Sequence, residues 1–207
     1  MAVNNYETWR TDWQKRFCSM DVAALLEKLP FLRLEQDYLL VPYLGKFCPI
    51  RLSDGAITAP EFSLYDQLNI YTMLWYSKEN AKLTGEFCPF RQLKDASPFD
   101  PAFRKNNLTP IALTFSGHGE KLKAALESLG GRKLPSGDVG YEIDVFPCIP
   151  VQVLFWEGDE EFPAQCNLLF DKSATDFIHV ESIVTIASEI LRHLADLAQL
   201  PIQGTPF

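Results

Sequence analysis

Residues 139–171 read VGYEIDVFPCIPVQVLFWEGDEEFPAQCNLLFD. Residues 139–146 and 150–157 alternate or run apolar and are rich in β-branched and aromatic side chains. That pattern predicts two strands separated by Pro147-Cys148-Ile149-Pro150. Residues 165–170 predict a third. The period then changes. Over 180–199, Ile183, Ala187, Ile190, Leu191, Leu194 and Leu197 fall on one helical face, and Pro201 ends the run. Strands group together without βαβ alternation, so the reading is α+β: an antiparallel or mixed sheet with packed helices and a long C-terminal helix.

Upstream, residues 5–29 predict two helices. Tyr6, Trp9, Trp13 and Phe17 share a face of the first, over 5–17. Ser19 or Asp21 caps the second, over 22–29, and Pro30 closes it. Residues 38–44 and 47–52 predict strands, with Ser53-Asp54-Gly55 as a turn, and Pro42 and Pro49 point to edges or bulges. Ser63 with Asp66 approximates a capping box for a helix over 64–79, whose buried stripe is Leu64, Leu68, Tyr71, Leu74 and Trp75. A short extended segment is expected at 86–91. Residues 95–107 look like loop with one turn at 101–105, and helices follow at 109–116 and 119–129, stopped by Gly130-Gly131.

The chain has 207 residues, 47% of them hydrophobic and 22% charged, within the range of one folded domain spanning 1–207. Its net charge of −8 argues against non-specific nucleic-acid binding, which needs cationic surface. The acidity is local: residues 134–181 carry ten acidic side chains against Lys172 alone. No apolar run is long enough to span a bilayer and the N-terminus has no signal-peptide core, so a cytoplasmic protein is expected.

Cys18, Cys48, Cys88, Cys148 and Cys166 form no C-x-x-C pair and sit beside apolar residues, as buried reduced thiols do. Two of them lie in an internal echo 40 residues apart, Gly-x-Phe-Cys-Pro-x-Arg at 45–51 and 85–91. The bland reading is a pair of similar strands. The functional alternative is haem or corrinoid binding through Cys48 or Cys88.

The densest polar cluster is Trp156-Glu157-Gly158-Asp159-Glu160-Glu161-Phe162-Pro163, directly after a strand, where sites tend to sit. Asp171, Asp176, His179 and Glu181 follow. Three readings are open: a hard-cation site, a metal or acid/base site that combines His179 with Asp159, Glu160 or Glu161, and a solvated acidic turn. No EF-hand, G-x-S-x-G, Walker or G-x-G-x-x-G pattern is present, and Gly117-His118-Gly119 reads as a turn between helices.

The series Tyr71, Trp75-Tyr76, Leu83-Thr84-Gly85-Glu86, Phe90-Arg91, then P-x-x-P at 147–150, W-x-x-D-E-E-F-P at 156–163, Leu169-Phe170-Asp171 and Glu181 resembles the bacterial and archaeal family known as domain of unknown function 3786, over about residues 20–195. Members occur mainly in anaerobes, and some carry a fused iron–sulfur domain whose cysteine spacing this chain lacks. The resemblance implies one intracellular domain with interest centred on 156–171, and it implies no activity. Together these observations suggest a ligand- or partner-binding accessory module. Its candidate residues are Arg91, Trp156, Asp159, Glu160, Glu161, Asp171, His179 and Glu181, and a cationic ligand, a metal or a protein would be the partner. A metal- or cofactor-dependent enzyme is the alternative.

Overall fold

The computed structural model describes residues 5–204; the side chain of Tyr6 lies outside the described residues. In chain order the elements are α1 (Asn5–Cys18), α2 (Val22–Lys28), β1 (Arg33–Glu35), β2 (Tyr38–Tyr43), β3 (Lys46–Arg51), α3 (Leu64–Tyr76), β4 (Phe87–Pro89), α4 (Asp100–Phe103), α5 (Thr109–Phe115), α6 (Gly119–Ser128), β5 (Arg132–Lys133), β6 (Val139–Phe146), β7 (Ile149–Trp156), β8 (Gln165–Asp171), α7 (Ala174–Phe177) and α8 (Val180–Ala198). This is an α+β architecture. No helix among the described residues is long and apolar enough to cross a membrane.

Two antiparallel sheets form, one in the order β1-β2-β3 and one in the order β4-β8-β7-β6-β5. Register places Tyr141 opposite Val153 and Ile143 opposite Val151, so the odd-numbered side chains make one buried face. Glu142, Asp144 and Gln152 line the other face of these strands, where Arg132 bonds both carboxylates (2.7–2.9 Å). Pro49 lies on the edge strand β3, as expected. Pro42 lies in the central strand β2 and corrects that expectation: β1 pairs only with 38–40, so no neighbour on that side needs a proline N–H. Just beyond, the Leu44 N–H donates to the Val145 carbonyl (3.0 Å) and joins the two sheets.

The helices begin where their caps dictate. Asp21 Oδ1 accepts from the N–H groups of Ala23 (2.9 Å) and Ala24 (3.2 Å). Ser63 and Asp66 complete a full capping box, each accepting the other's backbone N–H (3.0 and 2.8 Å). The helix α8 ends with Gln199 in the left-handed region, and the Leu200 N–H returns to the Ala195 carbonyl (3.0 Å).

Three local expectations are corrected. Trp75 is exposed, with its edge against Trp13 and the Arg16 guanidinium over its ring at 5.6 Å. Leu197 is also exposed, because Ala195 and Ala198 finish the α8 stripe. Residues 97–107 are helical rather than loop: a 3-10 turn, α4 and a widened π turn over 104–108 run directly into α5, which lies where a helix is expected. Pro98, Pro101 and Pro110 all sit in first helical turns, where a missing N–H is harmless. The wide turn takes up the backbone before Pro110.

One continuous apolar core runs from Trp13 and Phe17 on α1 to Leu194 on α8. Gly55, at φ +71°, lets the 53–55 turn press against α1: a Cβ there would lie 2.7 Å from the Gln14 carbonyl oxygen. The buried Tyr71 hydroxyl donates to the Gly55 carbonyl and locks α3 to the same turn.

Candidate functional site

The acidic stretch forms the tip between β7 and β8. The Glu157 N–H donates to Asp138 (2.8 Å), and its carboxylate accepts from the N–H groups of Gly117 (2.9 Å) and Gly119 (3.0 Å). The turn Gly117-His118-Gly119 between α5 and α6 is thereby tied to the tip. At Gly158 the chain passes close to itself, and a Cβ would stand 2.7 Å from the Ala164 nitrogen. Asp159 Oδ1 accepts from the N–H groups of Glu161 (2.8 Å) and Phe162 (2.7 Å), while its own N–H donates to the Phe162 carbonyl (2.9 Å). The Phe162 and Glu161 amides hold the Asp159 carboxyl below the usual carboxylate range. Asp159 therefore shapes the turn, and Glu160 and Glu161 are left exposed beside Phe162, which is 61% exposed. Trp156, at the base, is partly exposed.

Replacing Glu157 with alanine leaves two glycine amides without their acceptor. The expected result is a loss of about 1 kcal/mol in stability, with faster hydrogen exchange at Gly117 and Gly119. Unchanged protection at both amides would show that the tie carries no weight.

Asp171 lies at the other end of β8, roughly 20 Å from the tip at the rise of an extended strand. It is buried and accepts five hydrogen bonds: from the N–H (3.1 Å) and hydroxyl (2.9 Å) of Thr84, the N–H of Gly85 (2.7 Å), and the N–H (2.9 Å) and hydroxyl (2.6 Å) of Ser173. Burial pushes its carboxyl up, but the bonds from Ser173 and Thr84 outweigh burial and hold it low. His179 caps α8, its Nδ1 accepting from the Glu181 N–H (3.3 Å), and its ring lies 5.5 Å from that of Tyr76. The expected acidic surface is thus two places. Asp159, Glu160 and Glu161 stand at one end of β8, and Asp171, His179 and Glu181 belong to the other, because β8 runs between them.

Arg91 is exposed on the turn after β4. The two echoed segments become β3 and β4, edge strands of different sheets, with Cys48 and Cys88 buried. Burial pushes both thiols up, away from the thiolate form, and a macrocycle would have to displace core side chains to reach either sulfur.

The sequence reading missed the most concentrated charge network. Arg192 bonds Asp66 (2.5 Å), Glu189 (2.6 Å) and Asp196 (3.2 Å). His193 Nε2 lies 3.1 Å from Asp66 and 2.9 Å from Arg192, and the Ser63 hydroxyl donates to Glu189 (2.9 Å). Asp66 and Glu189 are both buried. One ligand atom each from Asp66, Glu189 and His193 lie within 4.8 Å of one another, a donor set that a divalent cation could use only by displacing Arg192. The legible signal was Glu189, Arg192 and His193 at spacings of three and four beside the apolar stripe of α8. In the sequence Asp66 reads as a cap alone.

No curated protein and no solved structure matches the chain. The family described as a domain of unknown function, DUF3786, matches residues 21–193, which take in everything from the α2 cap to the Asp66–Arg192–His193 network. The chain therefore belongs to the DUF3786 family.

Proposed function

We propose that the chain is a protein-binding accessory module whose contact surface is the β7–β8 tip. One observation carries this reading: a closed Asp159 turn leaves Phe162 exposed next to two exposed carboxylates, Glu160 and Glu161. An aromatic side chain on a rigid turn is a low-entropy anchor, and the surrounding acids select a partner with basic residues around an apolar notch. The same reading places the module in the cytoplasm, where five unpaired thiols stay reduced.

The test compares proteins captured from its own host by the natural chain, by Phe162→Ala and by Glu160→Lys with Glu161→Lys. At least one basic protein should be retained by the natural chain, released by added salt, and lost with each variant. An identical captured set for all three would sink the proposal.

A further inference from the structure

A concave feature lies between α1, α3 and the start of α8. It is an open groove of about 310 Å³. Trp9 and Trp13 of α1, Tyr76 of α3, His179, and Glu181 and Thr185 of α8 line it. The lining of the groove includes one carboxylate, Glu181, and no lysine or arginine. His179 Nδ1 accepts from the Glu181 N–H (3.3 Å), and the Glu181 carboxylate lies 3.9 Å from that nitrogen. Among the described residues Glu181 pairs with no lysine or arginine. The nearby Lys78 is bonded to Asp176 (2.5 Å). The first amides of α8 are also engaged: Glu181 donates to His179 Nδ1, and Ser182 to the His179 carbonyl. An anion would find no free donor from them.

The molecule already uses one face of this aromatic cluster for a cation. The Arg16 guanidinium sits 4.7 Å from the centre of the Trp13 ring, and Tyr71 stacks parallel to the same ring at 6.4 Å. Trp13 is thereby covered, whereas Trp9 and Tyr76 remain partly exposed at the groove. Two aromatic rings with a carboxylate on the rim suit a small organic cation, because the ring faces attract positive charge without a strongly hydrated partner. We infer that this groove is a binding site for a small organic cation of the quaternary or alkyl-ammonium class, with Trp9 and Tyr76 as walls and Glu181 as counter-charge.

The test uses choline and its neutral carbon isostere, neohexyl alcohol, as probes in nuclear magnetic resonance titrations at low salt. The indole signal of Trp9 is assigned through Trp9→Phe, and the indole signals of Trp13, Trp75 and Trp156 report that each variant stays folded. Choline should produce saturable shifts at Trp9 and bind about tenfold tighter than the isostere. Trp9→Ala should weaken choline about tenfold. Glu181→Gln should weaken it only about threefold, because that carboxylate is largely solvent-exposed. Absence of saturable shifts, equal affinity for the neutral isostere, or unchanged choline affinity in both folded variants would each overturn the assignment.

Discussion

Replacing Arg192 with methionine is expected to lower the unfolding free energy by about 3–5 kcal/mol, the loss typical when one partner of a buried ion pair is removed. The guanidinium is the shared cation of two carboxylates that are 0% and 4% exposed, Asp66 and Glu189. Without it both acids stay buried: Asp66 keeps the Ser63 N–H and His193, and Glu189 keeps the Ser63 hydroxyl. Urea denaturation measures the loss, and a value below about 1 kcal/mol would place the network among ordinary surface pairs. Pairing Arg192→Met with Glu189→Gln should recover part of the deficit, because the amide removes one uncompensated charge.

The pH dependence separates the two acids. Burial pushes Asp66 up, but the hydrogen bond and charge of His193 and the charge of Arg192 bring it below the usual range. Its contribution is therefore present above the unfolded value of about 3.9 and is lost as pH falls through the lower folded value. Burial and then the charge of Asp66 push Glu189 up, against Arg192 and Ser63. Its contribution has the opposite sign: full below about pH 4.3 and lost as pH rises through the raised folded value. In Arg192→Met the Glu189 proton is held still harder. The deficit of that variant should narrow as pH falls from neutral toward about 5, and a constant deficit would show that Glu189 is not the strained group.

The second large effect is expected at Asp171. Asp171→Ala should cost roughly 3 kcal/mol, since it strands three backbone N–H groups and two hydroxyls that now converge on one buried carboxylate. Asp171→Asn should fall between, because its amide nitrogen would face donors. Hydrogen exchange at Gly85 should quicken in both. The folded Asp171 value is held below the ordinary one, so its stabilisation is present above about pH 3.9 and lost below it. The alanine variant should therefore lose less stability on acidification than the natural chain. An equal or steeper acid loss would remove Asp171 from the account.

The long strands and α8 were readable in the sequence because their periods are clean over seven or more residues. The two short strands were not. The three residues of β1 are all exposed, and β5 is only Arg132 and Lys133, so neither carries an apolar signal. Residues 97–107 misled because Asp, Pro and Asn are both loop formers and good first-turn residues, and composition alone does not distinguish the two uses. Which end of β8 each acidic residue occupies was not legible, because spacing in sequence carries no such information. The network around Arg192 was hidden for the converse reason. Asp66 and Glu189 lie 123 positions apart and meet only when α3 packs on α8. The resemblance built on Trp156, the Asp159–Pro163 run and Asp171 agrees with the family match over 21–193.

The first helix stands apart in this scheme. Residues 5–18 precede the matched span, yet Trp13 and Phe17 anchor them in the same core, and Gly55 leaves room for their backbone. One wall of the aromatic groove is therefore written in a separate tract from the frame that supports it. Substitutions on the exposed side of that helix can retune what the groove admits while the sheets, the Asp171 pin and the Arg192 network stay as they are.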